Sequence, residues 1–251
     1  MRPQGLARRI LPVFYVLDTS GSMQGDAIER LNSAMEETSL VLRELAAHNG
    51  DAQVKIAVLS FNSEVKWMQP RGPEDLEDFV WQPLEAGGMT YMGAAVRELN
   101  SKLNDRAFLR SATGSLAPVI VFMSDGYPND DYMAALDEAQ ENPMFRNATR
   151  IGFAIGRSCD VQMLEKITGD PDAVVRTSDL QEFAELIRFV SETATSMASV
   201  TRASSRDRLG AEAVRQSRRM TGYGMNFAPT PSIPEDVVSG DQPIWDMSDP
   251  I

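Results

Sequence analysis

The chain has 251 residues, of which 43% are hydrophobic and 24% charged, values typical of a soluble globular domain with appendages. Its 36 acidic and 24 basic residues give a formal net charge of −12, which argues against a nucleic-acid partner. Cys159 is the only cysteine, so the sequence excludes an internal disulfide and a cysteine-based metal cluster and favours a reducing, cytoplasmic compartment.

The N-terminal region resembles a short signal peptide, because Arg8 and Arg9 precede about eight apolar residues. That run ends in Asp18 without a small-x-small cleavage site, which favours a strand. No other stretch approaches the roughly 18 apolar residues that a membrane span needs. We therefore expect neither a signal peptide nor a membrane partner.

The first predicted element is a buried strand over the apolar run 11–17, which ends in the motif Asp18-Thr19-Ser20-Gly21-Ser22. Apolar residues three and four positions apart over residues 25–47 predict an amphipathic helix. A strand over 54–61 is followed by a turn and a hairpin edge strand over 65–68.

The segment 73–80, with Pro73 in its first turn, predicts a short helix. The later predictions are helices over 91–103, 130–141 and 160–167, strands over 119–124, 149–155 and 173–175, and a long helix capped by Asp179. Strands that alternate with helices need crossover connections. We therefore predict an α/β fold with a doubly wound, mainly parallel central sheet flanked by helices and one antiparallel edge strand.

The turn after the first strand carries one carboxylate and two hydroxyls, on Asp18, Ser20 and Ser22. Open α/β sheets bind their ligands at this edge. These hard oxygen ligands suit Mg²⁺, Mn²⁺ or Ca²⁺ and suit zinc or copper poorly. The alternative is that Ser20 or Ser22 caps the next helix with help from Asp18.

Two later segments complete a pattern. Gly87-Gly88-Met89-Thr90 opens a helix, and the strand over 119–124 runs into Asp125-Gly126. Asp-x-Ser-x-Ser after a strand, a loop Thr and a second strand with Asp-Gly, in this order, resemble the metal-ion-dependent adhesion site of von Willebrand factor A domains. Met89 departs from the small residue expected before the Thr.

This resemblance covers about residues 8–201 and implies a Rossmann-like fold and a metal site. The implied metal ligands, some of them through water, are Asp18, Ser20, Ser22, Thr90 and Asp125. We expect Mg²⁺ or Mn²⁺ ahead of Ca²⁺. Two carboxylates neutralise one divalent ion, so a free coordination position can accept an Asp or Glu carboxylate from a partner protein.

The resemblance is to the bacterial tellurite-resistance (TerY-like) branch in particular, which has a similar Ser/Thr-rich end to its last helix. It implies a non-enzymatic interaction module in a stress-response system, with a protein kinase and a PP2C-type phosphatase as partners.

A metal-dependent hydrolase or phosphatase that uses the same ion is the alternative function. It needs a general base. His48, the only histidine, stands at a predicted helix end, where a solvated cap is expected. Asp130 and Asp131 are the other candidates, and both are expected in the cap and first turn of a helix.

Aromatic and methionine side chains accompany the ligand segments and are predicted either as core or as an apolar rim around the ion. They are Met23, Met89, Tyr91, Met92 and Tyr127.

The remaining chain divides into a basic linker or short helix over 202–220 and an acidic tail over 221–251, which we expect to be disordered. The tail contains no Lys or Arg. Asp246 or Asp249 is a candidate ligand for the domain's own metal site, and a motif for another protein or a plain solvated tail is the alternative.

Overall fold

A seven-stranded sheet forms the centre of the protein in the computed structural model, which describes residues 9–48, 52–109, 115–156, 159–177, 211–212 and 214–215. The strands are β1 (Arg9–Asp18), β2 (Ala52–Phe61), β3 (Val65–Trp67), β4 (Glu74–Asp75), β5 (Val119–Ser124), β6 (Thr149–Ile155) and β7 (Val174–Thr177). Their order is β3-β2-β1-β5-β6-β7, with β4 also paired to β2. All neighbours are parallel except β3 and β4, which run antiparallel to β2. The predicted α/β fold is confirmed.

Helices cover both faces of the sheet. They are α1 (Asp26–His48), α2 (Met92–Asn104), α3 (Arg106–Leu109), α4 (Tyr132–Gln140), α5 (Pro143–Arg146) and α6 (Val161–Thr168). Side chains of β1 alternate between two cores, because successive residues of a strand point to opposite faces. Val13 and Tyr15 pack on the α1 side, while Phe14 and Val16 pack with α2, α4 and α6.

The order of the strands changes direction at β1. This strand lies between β2 and β5, with Asp18 in register with Phe61 and Leu17 with Met123. Crevices at such switch points, outside the carboxyl ends of the strands, are where open α/β sheets bind ligands. The topology therefore brings Asp18 and Asp125 to one crevice.

The prediction of a helix over 73–80 is wrong. The chain instead forms β4, because the Asp75 carboxylate accepts hydrogen bonds from Gln53 Nε2 (2.7 Å) and Lys55 Nζ (3.2 Å) on β2. Leu76 and Phe79 are buried behind it. A second short antiparallel strand thus joins the predicted edge strand β3, and α3 and α5 are also additional to the predicted helices.

The four described residues beyond β7 are helical, and they lie in the segment predicted as a basic linker or short helix. Val214 is fully buried in the α1-side core, and Arg215 forms an ion pair with Asp172 at 3.3 Å. The predicted helix from Asp179 and the acidic tail lie outside the described residues. None of the described helices combines the length and apolar character that a membrane crossing requires.

Candidate metal centre

Asp18 is the last residue of β1, and its side chain is fully buried. Its Oδ1 accepts a hydrogen bond from Ser20 N (2.8 Å), and its Oδ2 accepts one from Ser124 Oγ (2.6 Å). Both carboxylate oxygens are thus fixed by the turn after β1 and by the end of β5. Ser124 was not predicted as a site residue; its only signal is a polar side chain that ends an apolar strand.

Ser20, Ser22 and Asp125 form a hydrogen-bonded row. Ser20 Oγ lies 3.1 Å from Ser22 Oγ, and Ser22 Oγ donates to Asp125 Oδ1 at 2.7 Å. Ser20 is buried, Asp125 is half-buried and Ser22 is exposed. The row therefore leads from the interior of the domain to its surface.

Thr90 reaches the same cluster because its loop is tied to the turn after β1. Gly21 N donates to Gly88 O (2.9 Å), and Gly87 N donates to Thr19 O (2.8 Å). A Cβ on Gly126 would lie 3.5 Å from both Ser22 Oγ and Thr90 Oγ1, so these hydroxyls face Gly126 together.

The Gly88 turn has a defined conformation. Its φ of +82° is the left-handed region that glycine tolerates, and a Cβ there would lie 2.7 Å from Ser63 Oγ. Ser63 Oγ accepts a hydrogen bond from Met89 N (2.9 Å). Met89 itself is 48% exposed.

Asn129 holds the backbone of Thr90 on the other side. Thr90 N donates to Asn129 Oδ1, and Asn129 N donates to Thr90 O, both at 2.8 Å. This reciprocal pair fixes the loop against the segment after β5. Sequence analysis did not single out Asn129.

The five predicted ligands are thus brought together, and the capping alternative is not what the turn shows. Ser20 precedes a 3₁₀ turn (Gly21–Met23) without making a side-chain cap hydrogen bond, and α1 begins only at Asp26.

Both candidate general bases are helix caps. The two Asp130 oxygens accept hydrogen bonds from Gly93 N (2.9 Å) and Ala94 N (2.8 Å) at the start of α2, whereas Asp131 accepts from Ala134 N (3.1 Å) in α4. Asp131 therefore caps α4, the helix predicted over 130–141, whereas Asp130 caps α2. His48 ends α1, which is roughly 34 Å long at 1.5 Å per residue and begins near the metal turn.

The predicted rim divides into two groups. Met23 and Met92 are fully buried core residues, Tyr91 is half-buried, and Met89 and Tyr127 are exposed.

The surroundings of both carboxylates disfavour their charge. Burial raises the pKa of Asp18, and the charge of Asp125 raises it further, against hydrogen bonds from Ser124 and Ser20. Burial also raises the pKa of Asp125, against the hydrogen bond from Ser22. A divalent cation beside them would offset these costs.

The donor set fits a hard divalent cation, since it combines two carboxylates with three hydroxyls. Within the described part of the chain, no three His, Cys, Asp or Glu side chains are grouped as a metal site, so the hydroxyls are essential to this set. Cys159 Sγ donates to Ser124 O (3.1 Å), and burial raises the pKa of the thiol to about 12. Cys159 is therefore a neutral packing residue rather than a thiolate ligand.

Comparison with known families identifies this arrangement. Residues 13–189, more than half of the chain, match the von Willebrand factor type A domain. The chain belongs to this family. No curated protein sequence is significantly similar to it.

Several solved structures have a fold similar to that of this von Willebrand factor A domain. Proximal thread matrix protein 1 from the mussel byssus, with a zinc-occupied metal-ion-dependent adhesion site (MIDAS) motif, has a TM-score of 0.55 and 19% identity over 72% of this chain and 47% of that one. A von Willebrand factor type A protein from Catenulispora acidiphila has a TM-score of 0.52 and 18% identity over 74% and 43%. The pilus adhesin SpaC from Lactobacillus rhamnosus GG has a TM-score of 0.54 and 10% identity over 85% and 31%. The chain thus spans less than half the length of these structures.

Proposed function

We propose that this von Willebrand factor A domain is a non-enzymatic, metal-dependent protein-interaction module. In this proposal Asp18, Ser20, Ser22, Thr90 and Asp125 hold Mg²⁺ or Mn²⁺, which binds an Asp or Glu carboxylate of a partner protein. The hydrogen-bonded row from buried Ser20 to exposed Ser22 carries the proposal, because an ion held by this set keeps a side open to the surface.

The roles of the side chains follow from their charge and burial. Asp18 and Asp125 would supply the negative charge, directly or through coordinated water, and the three hydroxyls would supply neutral oxygens. The hydroxyl of Ser124 and the backbone N–H of Ser20 hold Asp18 in place by hydrogen bonds, and in this proposal neither of these two groups contacts the ion. The zinc-occupied MIDAS motif of the mussel protein supports a divalent ion, and the hard oxygen set favours Mg²⁺ or Mn²⁺ here.

The absence of catalysis in this proposal rests on the acid–base groups. Metal-assisted hydrolysis by a positioned base needs an unengaged side chain beside the attacking water. Asp130 and Asp131 are engaged as caps of α2 and α4. We therefore favour a template role for the ion over water activation.

We further propose a cytoplasmic stress-response role in which the partners are a protein kinase and a PP2C-type phosphatase. The resemblance to the tellurite-resistance branch is the basis for this narrower assignment.

Calorimetric titration with Mg²⁺ and Mn²⁺ tests the metal centre. Asp18→Ala and Asp125→Ala should each abolish binding, because each removes one of two charges that face the ion. Asp137→Ala, at an exposed position of α4, is the matched control and should bind as the unchanged protein does. Unchanged affinity in both site variants would overturn the proposed centre.

A phosphoester hydrolysis assay with Mg²⁺ or Mn²⁺ tests the hydrolase alternative. The protein should show no turnover above a Thr90→Ala control. Turnover that disappears in this variant would favour the hydrolase.

A further inference from the structure

The surface around the candidate metal centre offers apolar contacts beside the open ligand set. Met89 is 48% and Tyr127 64% exposed, and each lies within two residues of a proposed ligand. Tyr127 also borders a groove of about 480 Å³, whose other walls include Val161, Asp160 and the ion pair of Arg176 with Glu165. Asp160 N donates to Gly126 O (3.3 Å), which connects this groove to the Asp125 segment.

The sequence supplies a matching segment at its own C-terminal end. Pro243-Ile244-Trp245-Asp246-Met247 places one carboxylate among three large apolar side chains. From Thr221 onward the chain has acidic residues and no Lys or Arg, so its charge is opposite to that of a divalent ion.

We propose that Asp246 of this same chain is a ligand of the metal centre, with Ile244, Trp245 and Met247 against the surface formed by Met89, Tyr127 and the groove. This inference rests on the proposed function, because it assigns the carboxylate that the ion binds when no partner is present. Asp246 is favoured over Asp249 since large apolar residues flank it on both sides.

The length of the chain permits this contact. Arg215 is anchored on the domain through its ion pair with Asp172, and Val214 beside it is buried. About 30 residues then lead to Asp246. A random coil of that length would span roughly 30 Å, whereas the radius of gyration of a domain of this size is about 16 Å. Tethering would hold Asp246 near the centre at an effective concentration on the order of millimolar.

This contact would regulate the proposed module. A tail carboxylate on the ion occupies the position that a partner carboxylate needs. Partner binding then requires displacement of the tail, so weak carboxylate ligands are excluded and a partner must present additional contacts.

Paramagnetic broadening of NMR signals by Mn²⁺ in the full chain tests the proposal. In the unchanged protein, Mn²⁺ should broaden the Gly126 amide at the centre and the Trp245 indole signal. Asp246→Asn should retain the broadening at Gly126 and lose it at Trp245. Asp249→Asn, the matched control in the tail, should behave as the unchanged protein. Asp18→Ala should lose both effects.

Each contrary result has a distinct meaning. Broadening at Gly126 without broadening at Trp245 would overturn the tail contact and leave the metal centre standing, whereas the loss of both in the unchanged protein would overturn both proposals. Trp245 broadening that survives Asp18→Ala would mean that the acidic tail binds Mn²⁺ by itself, and broadening that disappears on tenfold dilution would mean that two copies exchange tails. Either result contradicts the intrachain contact.

Discussion

The position of each carboxylate oxygen decides the chemistry of the candidate centre. Asp18 lies fully buried, and Ser20 N and Ser124 Oγ hold its two oxygens. Asp125 is half-buried and is held by the exposed Ser22. One carboxylate is therefore a fixed interior group, and the other lies where solvent or a partner can reach it.

Asp125→Asn should stabilise the metal-free protein at pH 7. Burial raises the pKa of Asp125, so its ionised form at pH 7 is less favourable in the folded than in the unfolded chain, and Asn removes that charge while its Oδ1 can still accept from Ser22. Urea unfolding with EDTA measures the effect. With saturating Mg²⁺ the order should reverse, because only the unchanged protein gains stability from the bound ion. A variant that is less stable in EDTA would contradict this.

Individual elements of the fold depend on side chains from other elements for their ends. α2 begins two residues after Thr90, and the two carboxylate oxygens of Asp130 accept hydrogen bonds from Gly93 N and Ala94 N in its first turn. The segment after β5 thus holds the start of α2, and Asn129 of the same segment holds Thr90. The loop Thr of the centre is fixed by tertiary contacts rather than by its own sequence.

Asp130→Ala should destabilise the domain by about 1–2 kcal/mol, because it leaves two helix N–H groups without their acceptor. Thermal unfolding compared with Asp137→Ala, an exposed acidic position that should change stability by less than about 0.5 kcal/mol, isolates the cap effect. Mn²⁺ affinity should stay within about twofold of the unchanged protein. A large loss of affinity with unchanged stability would assign Asp130 to the metal centre instead.

At the scale of the whole molecule, the packed core includes a residue outside the segment 8–201 that the sequence predicted as the domain. Val214 is fully buried in the α1-side core, although it follows the predicted domain end by more than ten residues. The polypeptide after the last predicted helix thus contributes to the packing of the fold.

Val214→Ala should lower the free energy of unfolding by about 1–2 kcal/mol, since two buried methyl groups are lost. The neighbouring Glu212→Ala is the comparison, because Glu212 is only half-buried and pairs with Arg215 on the surface. Chemical denaturation should show the difference. Equal effects in the two variants would mean that Val214 contributes no more to the core than a surface residue does.

Local patterns determined most of the fold and the composition of the site. Apolar runs predicted β1 and β5, the three- and four-residue spacing predicted α1, and Asp-x-Ser-x-Ser indicated hard oxygen ligands. Thr90 and Asp125 joined this set through the resemblance to the von Willebrand factor A family. The strands, the helix and the Asp18 turn could be predicted because strand alternation, helical periodicity and the oxygen ligands of one turn each depend on a few neighbouring residues.

Only the tertiary structure decided which residues support the site and where the edge of the sheet lies. Ser124 holds Asp18 across 106 positions of sequence. In the segment after β5, Asn129 fixes the Thr90 loop and Asp130 fixes the start of α2. The segment 73–80 was predicted to be helical, but contacts of Asp75 with Gln53 and Lys55 on β2 accompany its pairing as β4. Such hydrogen bonds form only after the sheet brings distant residues together, and their energy then exceeds the small intrinsic preferences that sequence patterns report.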